Sequence, residues 1–207
     1  MELSVLGQIT STAHLAAVGL VEVDCDLGAG TAGAGSGIEL LRGAVQPEQD
    51  PSARVSARGW EVGAATATPH ARHIEAITQV MADAADLVAF TLQQGLFPIV
   101  LAGDHSTAAA TIAGIRRAHP SDRLGVIWID AHADIHSPFT TPSGNMHGMP
   151  LAIAAAHDNL PEAINDPDDV TRQHWRQLQE LGGSQGPALD LGDLIYIAVR
   201  DTEPAED

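Results

Sequence analysis

The segment that follows an apolar run ending at Ile129 is rich in groups that bind metal ions. Asp130, His132 and Asp134 alternate with alanines in the sequence D-A-H-A-D. In extended backbone such alternate residues share one face at steps of roughly 6.5 to 7 Å, and a bend brings them around one centre. Without a cation these groups would repel one another or be poorly desolvated. The spacing therefore predicts a metal site.

A further candidate, His105, follows the preceding apolar run in the sequence G-D-H-S. Carboxylate and imidazole ligands without thiolate suit Mn²⁺, Fe²⁺ or Zn²⁺, and the carboxylates favour harder ions such as manganese. A central aspartate can bridge two ions about 3.5 to 4 Å apart, and such a pair yields a bound hydroxide nucleophile near neutral pH. The alternative for D-x-H-x-D alone is an exposed polar turn. His105 at a neighbouring strand end weakens that alternative.

Alternating helices and strands must position these residues. Apolar residues at three- and four-residue spacing between His70 and Gly95 predict a long helix. The run LFPIVLAG predicts a buried strand, the alanine-rich stretch up to Pro120 a helix, and DRLGVIWID a second buried strand. This order indicates a right-handed βαβ unit with parallel strands, and a shorter helix is expected around residues 170–181. The fold class is α/β, where ligands gather beyond the carboxyl ends of strands.

An earlier glycine-rich stretch, Gly28 to Gly33, matches the G-x-G-x-x-G pattern of dinucleotide-binding loops. The run before it, VEVDC, is short and charged, and no strand ending in an acid follows at the required distance. A polar, proline-containing connector from residue 46 to about residue 70 follows instead. We interpret the stretch as a loop whose backbone turns sharply or approaches another segment closely.

Composition narrows the function classes. The 207 residues carry a net charge of −17, with 27 acids against ten basic residues, all of them arginine. Such a chain is repelled by polyanions, which argues against nucleic acid and anionic membranes as partners. The single cysteine, Cys25, excludes an intrachain disulfide and a cysteine-built zinc site. The N-terminus lacks a basic segment and no apolar run is long enough to span a membrane, so we expect a cytoplasmic protein.

Three segments carry a resemblance to a known family. The sequences GDHS at 103–106, DAHAD at 130–134 and SGNMHGMP at 143–150 resemble the ureohydrolases, and among them arginases more than agmatinases. The resemblance runs from about Leu27 to the C-terminus. It implies a three-layer αβα sandwich with a mainly parallel sheet and a dinuclear manganese site. It further implies hydrolysis of L-arginine to L-ornithine and urea, and a homo-oligomer, either a trimer or a hexamer.

The resemblance also implies a ligand set. His105 and Asp134 would bind one manganese ion, His132 would bind the other, and Asp130 would bridge the two. We count Asp134 among the catalytic residues as well as among the ligands. A guanidinium carbon is a poor electrophile, so attack by a metal-bound hydroxide fits the substrate class.

Three residues of SGNMHG correspond to catalytic or substrate-binding positions. His147 falls where arginases keep a histidine that shuttles protons or protonates the leaving amine, which must be protonated to depart. Ser143 and Asn145 fall where the α-carboxylate of the substrate is held by hydrogen bonds. The alternatives are a packed loop histidine and ordinary turn chemistry in TPSGN.

Two positions depart from the family pattern. His136 stands where arginases have an asparagine that binds the substrate carboxylate, and a histidine can still donate a hydrogen bond. Glu203 stands where an aspartate meets the α-amino group, and glutamate keeps the charge while adding a methylene. The alternative for Glu203 is a solvated chain end.

Family members continue past the position of Asp207 with a strand that ends in two more aspartate ligands. These 207 residues offer four clear ligands where a dinuclear site uses six. We therefore expect one partial domain over residues 1–207, lacking the last strands and leaving a sheet edge exposed. Two functions stay open: an arginase, with agmatinase as runner-up, and a catalytically impaired metal-binding fragment.

Overall fold

The computed structural model of the chain describes residues 17–44, 53–57, 67–183 and 186–207. The strands in this part are β1 (Val18–Cys25), β2 (Ala53–Ala57), β3 (Phe97–Ala102), β4 (Val126–Ile129) and β5 (Leu194–Ile197). The α-helices are α1 (Gly37–Ala44), α2 (Ile74–Gln93), α3 (Ala108–Ala118), α4 (Pro150–Ala154) and α5 (Asp169–Gln179). Most of the predicted connector after residue 44, and the N-terminal residues 1–16, lie outside the described residues. The single domain over 1–207 and the homo-oligomer stay predictions.

The described strands form two sheets, in which every pair is parallel. One sheet has the order β2-β1-β3, and the other pairs β4 with β5. The α/β class predicted from the sequence is confirmed. The prediction that β3 and β4 form one βαβ unit is wrong, because the two strands belong to different sheets. Sequence order indicates the handedness of a crossover, but tertiary packing decides which strands become neighbours.

The central strand β1 is buried from Gly19 to Cys25 despite its two acids. Glu22 and Asp24 are only 1% and 2% exposed, so the charge of VEVDC did not preclude a strand. Parallel strands covered on both faces are buried regardless of alternation. The strand β2 lies inside the stretch predicted to be a polar connector, and that part of the prediction is wrong. The five-residue segment carries no local sequence pattern typical of a strand, and its hydrogen bonds to β1 stabilise it as one.

The long helix α2 buries the predicted apolar face and forms much of the core. Its fully buried side chains include Ile74, Ile77 and Met81. It packs against α3, α5 and the first sheet. Gly114 allows α3 to approach closely, because a Cβ added there would lie 2.6 Å from the carbonyl oxygen of Ala85. This packing fixes the direction of β3 and of the residues that follow it.

One face of β3, β4 and β5 is not covered within the described part of the chain. Six apolar side chains there are between 42% and 71% exposed: Phe97, Ile99, Ile127, Ile129, Ile195 and Ile197. Partly buried residues at neighbouring positions of the same strands pack on the core: Val100, Val126, Trp128 and Leu194. None of the described helices combines the length and apolar character needed to cross a membrane.

The helix α5 begins with a capped N-terminus. The carboxylate of Asp168 accepts hydrogen bonds from the backbone N–H of Thr171 and from its hydroxyl, both at 2.9 Å. The backbone hydrogen bond from Thr171 lowers the pKa of Asp168 below its ordinary value of 3.8. We expect Asp168→Ala to lower the free energy of unfolding by about 1 kcal/mol at pH 7.

The pH dependence of this cap has a defined sign. Because the pKa of Asp168 is depressed by folding, its charge-dependent contribution is complete above pH 3.8 and is lost as the pH falls through the folded-state pKa. Urea unfolding of the native protein and Asp168→Ala at several pH values measures this difference. Asp168→Asn is the matched control, since asparagine caps helices equally well without titrating. A pH-independent difference between native protein and Asp168→Ala would contradict the assignment.

Candidate metal centre

His105 and Asp134 meet beyond the carboxyl ends of β3 and β4. The Nε2 atom of His105 lies 3.3 Å from Oδ2 of Asp134. The same oxygen accepts a hydrogen bond of 3.2 Å from Nε1 of Trp128, a residue of β4. Asp134 is 2% exposed and has a left-handed backbone with φ of 50°. Such strain in a non-glycine residue is common at functional sites, where the surrounding structure imposes it.

His147 extends this pair to a cluster of three. The potential ligand atoms of His105, Asp134 and His147 lie within 4.8 Å of one another. The rings of His105 and His147 are 5.4 Å apart and nearly perpendicular. Nε2 of His105 is buried with no hydrogen-bond partner among the described residues, although Oδ2 of Asp134 lies 3.3 Å from it. A cation of borderline or hard character, such as Mn²⁺, fits the donors of His105 and Asp134 and would satisfy the buried nitrogen.

The other two predicted ligands form a more exposed pair. Nδ1 of His132 is 3.6 Å from Oδ1 of Asp130, which also accepts the backbone N–H of His132 at 3.1 Å. Nε2 of His132 is 3.9 Å from Oδ2 of Asp201. Asp201 was not predicted from the sequence, although it stands two residues before the predicted substrate residue Glu203. The four predicted ligands thus fall in two pairs.

The charges of these groups shift their pKa values. Burial opposes protonation of His105, but the contact with Asp134 and the nearby Asp130 outweigh it and raise the pKa of the imidazole. Burial and the neighbouring His105 lower the pKa of His147. Burial opposes ionisation of Asp130, but backbone N–H groups of His132 and Ala131 lower its pKa overall. Asp130 is therefore ionised and His147 neutral near pH 7.

The glycine-rich loop holds the histidines in place. Asp104 caps the turn that carries His105 by accepting the N–H of Ser106 at 2.8 Å, and it also accepts the N–H of Gly28 at 3.0 Å. A Cβ on Gly28 would lie 2.4 Å from the Ser106 hydroxyl oxygen. The carbonyl of Gly28 in turn accepts the N–H of His147 at 3.1 Å. The interpretation of this stretch as a closely approaching loop is confirmed.

A pocket of about 230 Å³ adjoins the cluster. Its lining combines three histidines, four acids and the residues of the predicted substrate loop. The acids are Asp134, Asp201, Glu203 and Glu206. The predicted substrate residues Ser143, Asn145, His136 and Glu203 all line it, as does His147. Clustered carboxylates in a concave site attract cationic ligands.

His136 links the wall of this pocket to the C-terminal acids. Its Nδ1 is 3.0 Å from the hydroxyl of Thr140, and its Nε2 is 3.5 Å from Glu203 and 3.8 Å from Glu206. The side chain of Glu206 is 6% exposed, compared with 53% for Glu203. Glu206 was not predicted from the sequence, although it stands in the terminal stretch RDTEPAE, three residues after Glu203.

Trp128 orients Asp134, and its role can be tested. Trp128→Phe removes the hydrogen bond to Oδ2 while keeping an aromatic ring, and we expect about 10-fold weaker Mn²⁺ binding by calorimetry. Trp175→Phe is the matched control, because its indole also donates to an aspartate, Asp158, at 2.8 Å, but does so from α5. Equal affinities of Trp128→Phe and the native protein would show that the indole does not orient the ligand.

An α/β fold with imidazoles and carboxylates beyond its strand ends defines a candidate metal-binding enzyme. A model of the Arginase family matches residues 16–206. Rat Arginase-1 is 40% identical over 122 residues, which are 59% of this chain and 33% of that protein. The arginase of Bacillus caldovelox is 48% identical over 135 residues, 65% of this chain and 39% of that protein. The chain belongs to the arginase family.

Solved structures agree with this assignment. The native structure of Bacillus caldovelox arginase superposes with a TM-score of 0.69 at 29% identity, covering 92% of this chain and 60% of that one. Entamoeba histolytica arginase, solved in complex with L-ornithine, has a TM-score of 0.74 at 24% identity, covers 93% and 61%, and shares the fold. The resemblance stated from the motifs is confirmed. The chain spans about a third of the length of the curated relatives it matches.

Proposed function

We propose that the chain carries the metal site and substrate pocket of a manganese-dependent arginase, which hydrolyses L-arginine to L-ornithine and urea. The observation that carries the proposal is the cluster of His105, Asp134 and His147 beside an acid-lined pocket. Membership of the arginase family supports it. The pocket carboxylates suit a substrate that bears a guanidinium and an amine, because both groups are positively charged.

His105, Asp134, Asp130 and His132 would hold the manganese. When bound, the metal supplies a water of lowered pKa that can attack the guanidinium carbon. Asp134 is fixed for this role by the indole of Trp128. Because a proton competes with a metal at an imidazole nitrogen, the raised pKa of His105 makes binding weaker in acid.

His147 handles the proton of the leaving group. Burial and the neighbouring His105 lower its pKa, so near pH 7 the neutral imidazole can accept the proton that the attacking water gives up. It then donates that proton to the departing amine, which is a poor leaving group when unprotonated. His147 lines the pocket, within reach of a bound substrate.

The remaining pocket residues orient the amino-acid end of the substrate. Glu203 and Glu206 are suited to the α-amino group, because both carboxylates approach His136 at the pocket wall. The hydroxyl of Ser143 and the amide of Asn145 are suited to the α-carboxylate as hydrogen-bond donors. Agmatine has the amine but no carboxylate, so these two residues should discriminate between the substrates.

Urea release tests the proposal. The 207-residue polypeptide, loaded with Mn²⁺, is incubated with L-arginine or with agmatine, and urea is quantified. Urea from arginine is the expected result, and urea from agmatine alone would make the protein an agmatinase. A folded, metal-loaded sample that releases urea from neither substrate would favour the second candidate, a metal-binding fragment without catalysis.

His147→Ala tests the proton-transfer role within the same assay. We expect kcat for L-arginine to fall about 10²-fold, because the leaving amine loses its proton donor. His119→Ala is the matched control, since His119 follows α3 and contacts only Asp122 at 3.4 Å among charged partners in the described structure. An unchanged kcat in His147→Ala would remove His147 from the mechanism.

A further inference from the structure

Arg72 contacts the loop that carries Ser143 and Asn145. Its Nη1 donates a hydrogen bond of 3.1 Å to Oδ1 of Asn145, 73 residues away in the sequence. Its backbone N–H also donates to the carbonyl of Gly144 at 2.8 Å. Arg72 lies in the turn that leads into α2, so these two bonds join the start of that helix to the loop.

The contact determines how the Asn145 amide is oriented. A guanidinium carries only donors, so the atom of Asn145 that it meets must be the carbonyl oxygen. The other end of the planar amide, Nδ2 with its two hydrogens, consequently points away from Arg72. Nδ2 of Asn145 lies beside Gly30. A Cβ at residue 30 would be 3.1 Å from this nitrogen, so the lack of a side chain on Gly30 leaves room for the amide.

The backbone of the loop is fixed independently of this side chain. The N–H of Asn145 donates to the Ser143 hydroxyl oxygen at 3.2 Å, and the N–H of Gly144 donates to the Thr141 hydroxyl oxygen at 3.0 Å. The main freedom left to Asn145 is rotation of its amide. Without Arg72, that amide could turn its oxygen toward the pocket, where it would repel a carboxylate.

We propose that Arg72 is a positioning residue that sets the preference for substrates with an α-carboxylate, by holding the carbonyl oxygen of the Asn145 amide so that its NH₂ group is left to donate. The inference rests on the proposed function, which assigns Asn145 to the substrate carboxylate. Of the described residues that line the pocket, Asn145 is one and Arg72 is not. Arg72 therefore acts through Asn145 rather than by touching the substrate.

Calorimetric binding of L-arginine and agmatine to the metal-free protein, which does not hydrolyse them, tests this role. Arg72→Met removes the donors and keeps the apolar stem, and we expect the Kd for L-arginine to rise about 10-fold. The Kd for agmatine should stay within about 2-fold, because agmatine has no carboxylate for Asn145 to bind. Arg72→Lys, which keeps a charged donor, should recover part of the arginine affinity. Arg123→Met is the control, since Arg123 pairs with Asp193 instead.

A double variant separates positioning from general loss of structure. In an Asn145→Ala background, Arg72→Met should not weaken L-arginine binding further, because the residue through which it acts is gone. If Arg72→Met does not fold, Arg72→Gln carries the same expectations for both ligands and for the double variant. Additive losses in the double variant would contradict action through Asn145.

The outcomes distinguish this inference from the proposed function. Equal weakening of L-arginine and agmatine, or no weakening of either, overturns the inference alone. Native protein that binds both ligands equally well also overturns it, because no carboxylate is then recognised. Native protein that binds neither ligand contradicts the proposed function itself, and the role of Arg72 falls with it.

Discussion

Asp134→Asn should weaken Mn²⁺ binding at least about 100-fold and should bring urea release below detection. Loss of a residue that only orients a metal ligand typically weakens binding by about 10- to 100-fold, and loss of the ligand itself should cost more. The substitution keeps the size and shape of the side chain but removes its negative charge. Oδ2 of Asp134 lies at the centre of the cluster, 3.3 Å from Nε2 of His105 and 3.2 Å from the Trp128 indole. A neutral amide there is a much poorer ligand for a hard divalent cation than a carboxylate.

The measurement is calorimetric titration of the metal-free protein with Mn²⁺, accompanied by the urea assay. Asp83→Asn serves as the control, because it removes one negative charge from the exposed side of α2, where Asp83 accepts a hydrogen bond from Gln79. Its Mn²⁺ affinity should match that of the native protein. An Asp134→Asn variant that binds Mn²⁺ as tightly as Asp83→Asn would mean that the metal is held elsewhere.

Gly144→Ala should lower the free energy of unfolding by about 2 to 5 kcal/mol. Gly144 has a φ of +73°, a left-handed conformation that L side chains rarely adopt. A Cβ there would lie 1.9 Å from the carbonyl oxygen of Pro69 and 2.9 Å from its carbonyl carbon. These are backbone atoms, so the clash cannot be relieved by rotating a side chain. The loop of Ser143 and Asn145 would have to separate from the turn that carries Arg72.

Urea denaturation of Gly144→Ala and Gly148→Ala gives the comparison. Gly148 lies in the same segment, but a Cβ added there would meet nothing within 4 Å. Gly148→Ala should therefore change the free energy of unfolding by less than about 1 kcal/mol. Similar, small losses in both variants would show that the contact between Gly144 and Pro69 yields easily and does not fix the loop.

Much of the fold could be predicted where the signal is local. The face of α2 follows from apolar residues at helical spacing, and the structure buries Ile74, Ile77 and Met81 as the pattern indicates. The pairing of β3 with β1, and of β4 with β5, could not be predicted in this way, because it depends on contacts between distant parts of the chain. The burial of Glu22 in β1 and the formation of β2 likewise depend on contacts between distant parts of the chain.

In the candidate site, too, the residues in local motifs could be predicted and those defined by tertiary contacts could not. Residues that follow strands in a specific motif, such as His105 and Asp134, could be selected from the sequence because the rule for α/β strand ends brings them together. The orienting residues could not, since Trp128 and Arg72 carry no motif that distinguishes them from core or surface positions. Their roles follow from single hydrogen bonds formed only in the folded chain.

Manganese anomalous scattering from crystals of the Mn²⁺-loaded protein tests the central claim most directly, because it locates the metal without requiring activity. We expect an anomalous peak within bonding distance of His105 and Asp134. When a second manganese ion is bound, we expect a second peak beside Asp130 and His132. Both peaks should disappear or weaken in crystals of Asp134→Asn. Manganese bound at surface carboxylates with none at His105 and Asp134 would contradict the account.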